Sequence, residues 1–454
     1  MAYENNEVKV PKRILNTLLS SLSAGVVPRI GAPYIAIGRK DEIGSLLDNL
    51  DAVMDGGAFT RFLIGRYGSG KSFLIQLLRG YALERGFICA DADLSPERRL
   101  TGGNGAGLAT YKELMINIST KAYPDGGALA GILSRHFTSL KTELVESGVL
   151  PDDPLFEREL KKKVFLTLSE LEGDVGGFDF ASVLSAYYTA AMNDDADKKS
   201  ACLRFLRGEF ATKTEAAAAL GFRVSAVIDD ENWYNYVKLF STLSEKLGYS
   251  GLILFIDECV NLYKIPNRIS REANYEKLLA IFNDTLQGKA SRLGVIFGGT
   301  PQFLEDSRRG LFSYEALKSR LYDSRYSELG YQNLSTPVIR LRRLSDNELL
   351  ALVKRLSKLF MQKEGLDAPL VTDSEIEGFV RSSTARAGAD EMITPREIIR
   401  DFLTLLNILK DNPGARFSEL VKTVSERGDV SAKTESAEAS VQTKNKISLF
   451  DIDI

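Results

Sequence analysis

The chain has 454 residues, enough for about two or three domains with ample core. Its 58 Lys and Arg nearly balance 61 Asp and Glu, for a formal charge of −3. That argues against a strongly basic nucleic-acid coat protein and an acidic solvating tail, though not against a local basic groove.

At 44% hydrophobic and 26% charged residues the composition is that of an ordinary globular protein. The three cysteines, Cys89, Cys202 and Cys259, lie far apart, and His136 is the only histidine. Together they exclude a Cys/His zinc site of ordinary spacing, a His-based triad and a disulfide framework, which favours a reducing compartment. The stretch Met1–Glu7 is polar and acidic, and no uninterrupted apolar run approaches about 18 residues. The expectation is a cytoplasmic protein with no signal peptide and no membrane contact.

In chain order, Tyr34–Glu42 reads as a turn into an amphipathic helix. The apolar run Phe62-Leu63-Ile64 then leads into Gly65-Arg66-Tyr67-Gly68-Ser69-Gly70-Lys71-Ser72, followed by the helix-like Phe73–Leu78. The octet fits G-x-x-x-x-G-K-[ST] at every fixed position, between a strand and a helix as a phosphate loop requires. Glycines let backbone N–H groups of Gly65, Tyr67, Gly68, Ser69, Gly70, Lys71, Ser72 and Phe73 wrap phosphates, and a helix N-terminus adds partial positive charge. Lys71 would reach the β- and γ-phosphates, and the Ser72 hydroxyl would ligate Mg²⁺.

A second strand is predicted over Gly86–Ala92. Roughly 160 residues then precede the next strand, where about 30 suffice for one crossover, so a helical insertion is expected at about 105–245. Helical patterns begin at Tyr111–Asn117, Val164–Leu168 and Ala181–Tyr188. Lys161-Lys162-Lys163 is the densest basic cluster, read as a solvated helix face with nucleic-acid contact as the sharper alternative. Ala211–Phe222, with a Thr cap, a short Ala-rich helix and a glycine turn, is similar to the first half of a helix-turn-helix. His136 and Trp233 read as packing or local hydrogen-bonding residues.

Leu252–Ile256 is apolar throughout and ends in Asp257-Glu258. A run apolar on both faces suits a central parallel strand, and ligands of such sheets sit beyond the strands' carboxyl ends. Asp257 would hold Mg²⁺ through water and Glu258 would polarise the attacking water. Further strands are predicted at Leu293–Thr300 and Pro337–Leu341, which gives five parallel strands joined by right-handed crossovers. Helices follow near Leu344–Val353, Thr372–Arg381 and Pro395–Leu409, two of them with N-cap or N1-proline signatures. After Phe417 the chain turns polar as a flexible linker, then ends in the acidic-apolar Ile447–Ile454.

These motifs resemble an AAA+-type P-loop NTPase of the additional-strand class, an α/β fold with a C-terminal helical lid. The resemblance implies four parts: an arm at 1–30, an ATPase core at 31–344 containing the insertion, a lid at 345–424 and a tail at 425–454. Tyr34–Glu42 is similar to the hGRxxE segment of initiator-like relatives, which implies that Ile37 and Arg39 lie along the adenine. Thr300 stands where the family often carries a sensor Asn, and Arg396 matches the arginine that reaches the γ-phosphate from the lid. Glu315–Leu321 resembles the motif bearing the trans-acting arginine, with Arg320 the candidate and Arg308, Arg309 and Arg325 its rivals. Such a finger implies a homo-oligomer.

A narrower resemblance rests on Ala92–Leu100, Leu206–Glu209, Ile228–Trp233 and Gly248–Tyr263 in that order. Together they look like the ATP-binding protein family of bacterial BREX (bacteriophage exclusion) systems. The resemblance implies an ATPase that uses ATP and Mg²⁺, with other defence proteins and double-stranded DNA as partners. The alternative is an ATP-controlled switch or scaffold that recruits effectors without translocation. A GTPase is disfavoured, because Asn445-Lys446-Ile447-Ser448 lacks the acid of a guanine-reading motif.

Overall fold

Five of the apolar runs form one parallel sheet: β1 Ala58–Ile64, β2 Ile88–Asp93, β3 Leu252–Asp257, β4 Leu293–Gly299 and β5 Val338–Arg340, in the order β2-β3-β4-β1-β5. The coordinates are a computed structural model and describe residues 9–171, 173–322, 333–385 and 394–421. The central strands β1, β3 and β4 are buried along nearly their whole length. This explains why their sequences lack the alternation of a half-exposed strand. β4 lies between β1 and β3, pairing Phe297 with both Phe62 and Ile256. The carboxyl ends of β1 and β3 are therefore two strands apart, about 10 Å.

The strand expectations hold to within a few residues, and the offsets have local causes. β2 starts at Ile88 because Gly86, at φ +80°, closes the preceding helix, with Phe87 N–H donating to Ala82 O. This is a glycine C-cap. β5 starts after Pro337, which has no N–H to give the ladder but accepts from Phe62 N–H.

Contacts divide the chain into two compact units, Arg39–Arg342 and Met1–Gly38 with Arg343–Ile454. In the first unit, the stretch between β2 and β3 holds helices Ala106–Ile116, Leu129–Glu146, Phe156–Ser169, Gly177–Met192, Ala196–Leu206, Lys213–Leu220 and Trp233–Ser244. Their apolar faces share one core with the sheet: Tyr111, Tyr188, Phe205 and Trp233 join Ile88 and Leu254. Trp233 is fully buried and donates from Nε1 to Leu100 O at 3.0 Å. Lys161, Lys162 and Lys163 pair with Glu157, Glu159 and Glu143, an exposed and internally neutralised helix face. Thr212 caps the helix Lys213–Leu220 and Gly221 ends it in the left-handed region. Residues 222–232 form no helix, so the second half of a helix-turn-helix does not follow.

His136 is buried and shares a 2.7 Å hydrogen bond between Nδ1 and the Tyr188 hydroxyl. Burial pushes its pKa down to about 4 from the ordinary 6.5, with Glu143 pulling weakly the other way. The neutral ring is the one that folds, so the unfolded chain binds the extra proton between these values. Its contribution to stability is complete above pH 6.5 and is lost as the pH falls toward 4. Urea melts at several pH values should show this acid sensitivity in the wild type and a smaller one in His136→Gln. Identical pH slopes would refute it.

The second unit holds helices Lys12–Ser23, Asp346–Glu364, Asp373–Ala385 and Pro395–Asp411. Leu15, Leu18, Leu19 and Leu22 line one face of Lys12–Ser23, which packs on Pro395–Asp411 and Asp346–Glu364. Capping boxes start three of these helices, Ser345 with Glu348, Thr372 with Glu375 and Thr394 with Glu397, the last followed by Pro395 at N1. Phe379, Phe402 and Phe417 form an aromatic cluster with ring centroids 5.5–6.3 Å apart. Among the described residues no helix is long and apolar enough to cross a membrane. Arg325 and the tail at 425–454 lie outside the described residues.

Candidate functional site

The turn from β1 into the helix Lys71–Glu84 takes its shape from glycine. Gly68 and Gly70 sit at φ +76° and +89°, where a Cβ is costly, and a Cβ at Gly65 would collide with Ser69 Oγ. No side chain caps the helix, so its first-turn amides are open to an anion. Lys71 folds back over the turn, donating from Nζ to Gly65 O at 3.0 Å and Arg66 O at 3.3 Å. Burial lowers the pKa of its ammonium, opposed by the carboxylates of Asp257 and Glu258. Tyr67 is 77% exposed and Phe73 is half-buried.

From the end of β3, Asp257 meets this turn. The Ser72 hydroxyl donates to Asp257 Oδ2 at 3.0 Å, and Asp257 Oδ1 accepts from the Glu258 N–H at 2.8 Å. The neighbouring β4 makes room for that carboxylate, since a Cβ at Gly298 would collide with Asp257 Oδ1. Glu258 is exposed and has φ +56°, a left-handed conformation rare for a residue with a side chain. Its successor is fixed, with Cys259 N–H donating to Gly298 O at 3.0 Å. The structure thus brings together Gly65 through Ser72 with Asp257 and Glu258, two segments remote in sequence.

The other anticipated residues are placed as follows. Thr300 accepts from Phe303 N–H at 3.3 Å and caps the helix Pro301–Glu305, which leaves its O–H as a donor. Arg39 is buried, its guanidinium bonded to Glu42, Ser69 O and Arg342 O. Arg320 is exposed on the helix Glu315–Leu321 and donates to Ala316 O at 2.7 Å. Arg308 is also exposed, whereas Arg309 stacks over Tyr263 at 5.3 Å and donates to Lys264 O and Ile265 O. Ile37 and Arg396 belong to the other compact unit.

Sequence reasoning passed over Asp93, the last residue of β2, which pairs in register with Asp257. Its pKa is raised by burial and by the carboxylates of Asp257, Glu258 and Asp91. A signal was present: Ile88–Asp93 ends in an acid as β3 does, though Asp91 interrupts its apolar run, and the expected strand stopped one residue short. A separate cavity of about 560 Å³ among the helices after β2 is lined by Phe165, Ser185, Thr189, Lys198 and Phe222, with none of the residues above.

A parallel five-stranded sheet with a glycine-rich strand-to-helix turn and facing acids at its carboxyl end is an α/β architecture consistent with a P-loop NTPase. Residues 10–425 match the family of the BREX system ATP-binding protein BrxC/D. The match covers most of the chain, and the chain belongs to this family. ATP as ligand and a defence-system setting follow from that membership. No curated protein matches the sequence.

Proposed function

We propose that the protein is a Mg²⁺-dependent AAA+-like ATPase that couples ATP hydrolysis to its own assembly and to action on DNA or DNA-bound defence proteins. The observation that carries the proposal is the 3.0 Å contact of Ser72 with Asp257, beneath a lysine folded over a glycine turn and beside Glu258. A hydroxyl and a carboxylate are hard oxygen donors of the kind Mg²⁺ accepts when phosphates supply further ligands. Among the described residues no three His, Cys, Asp or Glu side chains converge as a metal cage, which suits a metal carried in with a nucleotide.

In this reading Ser72 and Asp257 would hold Mg²⁺, which would supply positive charge beside the phosphate oxygens. Lys71 leaves the carbonyls of Gly65 and Arg66 for the β- and γ-phosphates. Glu258 orients a water and takes its proton. Thr300 donates its free O–H to a water or phosphate oxygen. The exposure of Arg320 supports service to a neighbouring subunit, and Arg396 acts as the arginine of a helical lid. The sheet order, with β4 between the loop strand and the acid strand, supports the additional-strand class.

The test is ATP turnover with and without duplex DNA, alongside particle mass with ATP, for the wild type and Arg320→Ala. DNA-stimulated turnover in an assembled particle, lost on Arg320→Ala, is the expected result. Slow turnover indifferent to DNA, with ATP-dependent capture of other defence proteins, would instead make the protein a switch. Normal turnover by assembled Arg320→Ala would eliminate that residue as the trans-acting arginine.

A further inference from the structure

One buried guanidinium connects the glycine turn to both points at which the chain crosses between the two compact units. Arg39 is the first residue of the sheet-bearing unit and Arg342 is its last. Arg39 Nη2 donates to Ser69 O at 2.9 Å and to Arg342 O at 2.5 Å, while Nη1 donates to Glu42 Oε1 at 3.2 Å. The Arg39 side chain is 4% exposed and that of Glu42 is 5% exposed. A charge buried so deeply is tolerated only when paired and hydrogen-bonded, and these contacts together supply that pairing.

Other contacts converge on the same place. Leu341 N–H donates to Ile64 O at 2.7 Å, joining the exit of β5 to the root of the glycine turn. Gly38, the residue before Arg39, has φ +73°, the left-handed region that favours glycine. Ser69 itself lies inside the turn, its N–H bonded to Arg66 O and its hydroxyl buried without a partner. A shift of the Ser69 carbonyl therefore acts on Arg39, and through Arg39 on Arg342.

We propose that Arg39 is a positioning residue that sets the backbone of the glycine turn and relays its state to the crossings at 38–39 and 342–343. The proposal rests on the nucleotide-binding reading for its trigger, but its mechanical part does not need a nucleotide. It also assigns Arg39 a role that does not involve touching adenine. The relay depends on a planar fork that spans several acceptors, which an ammonium cannot reproduce.

The experiment is hydrogen–deuterium exchange of the full chain, followed by mass spectrometry, with and without a non-hydrolysable ATP analogue and Mg²⁺. In the wild type the analogue should slow exchange both at 65–72 and at 340–346. In Arg39→Lys and Arg39→Met the first effect should survive at saturating analogue, with binding about tenfold weaker, and the second should vanish. Wild-type coupling in Arg39→Lys would mean that charge rather than the fork matters, and would overturn the proposal. Slowing confined to 65–72 in the wild type would overturn it as well.

If the analogue changes nothing in the wild type, it is the nucleotide reading that fails, and the apo comparison still decides the clasp. Without any nucleotide, Arg39→Met should speed exchange at 65–72 and 340–346 together. Unchanged exchange there would overturn the clasp. Glu42→Ala covers the case in which the Arg39 variants do not fold. It should loosen the same two segments, and loosening confined to Lys40–Met54 would count against the relay.

Discussion

Lys71→Ala should lower ATP turnover by at least ~10²-fold and weaken ATP binding with it, while leaving the fold intact. In the free protein the ammonium spends its hydrogen bonds on two carbonyls of its own turn, Gly65 O and Arg66 O. Neither bond ties distant parts of the chain together, so their loss should cost no more than about 1 kcal/mol each. With phosphates present the same ammonium becomes the nearest fixed positive charge the turn can offer. Partial burial makes that charge more effective than it would be in water. The check pairs a urea melt with calorimetric ATP binding and a phosphate-release assay. Unimpaired binding by a folded Lys71→Ala would sink the assignment of the turn as the phosphate site.

The contrast between local and remote information explains what the sequence could reveal. The turn Gly65–Ser72 was legible because its chemistry and its conformation reside in the same eight residues. Asp257 and Glu258 were legible because a wholly apolar strand ending in acids is a local pattern with a fixed meaning in a parallel sheet. The clasp of Arg39 was not legible, because its partners Ser69 and Arg342 lie 30 and 303 residues away. Gly298 is similar: only the register of β4 beside β3 shows that its missing side chain makes room for Asp257.

Some local patterns carried two meanings. The resemblance gives Thr300 a sensor position, yet Thr300-Pro301 is also a helix start, like Thr394-Pro395. The structure engages the Thr300 oxygen as a cap without using up its proton. Within the stretch expected as an arm at 1–30, the helix Lys12–Ser23 has leucines spaced to cover one face, and that face is buried. Ala211–Phe222 met every requirement of a helix and its stop, and residues 222–232, whose sequence offers no clear recognition helix, form none. Local rules placed the elements, and only packing could show which of them serve the site.

Glu258→Gln separates chemistry from binding more sharply than any other substitution at this site. The amide keeps the shape of the side chain but cannot take a proton, so turnover should fall by about 10²- to 10⁴-fold. Binding of ATP with Mg²⁺ should be retained or tightened, because one negative charge is removed from the neighbourhood of the γ-phosphate. The backbone argues for a dedicated role. Glu258 holds φ +56° while its N–H is fixed to Asp257 Oδ1 and the next residue is fixed to Gly298 O. A strained conformation clamped on both sides persists when the surroundings over-determine it, and here the residue so held carries an exposed carboxylate. Asp93 stands beside Asp257 at the end of the adjacent strand and is a carboxylate that could substitute. The pair of measurements is therefore single-turnover ATP cleavage and equilibrium binding on Glu258→Gln, with Glu258→Gln/Asp93→Asn as the control for substitution. Strong binding with lost cleavage in the single variant makes Glu258 the carboxylate that activates water. Wild-type cleavage in the single variant and loss only in the double would transfer that role to Asp93.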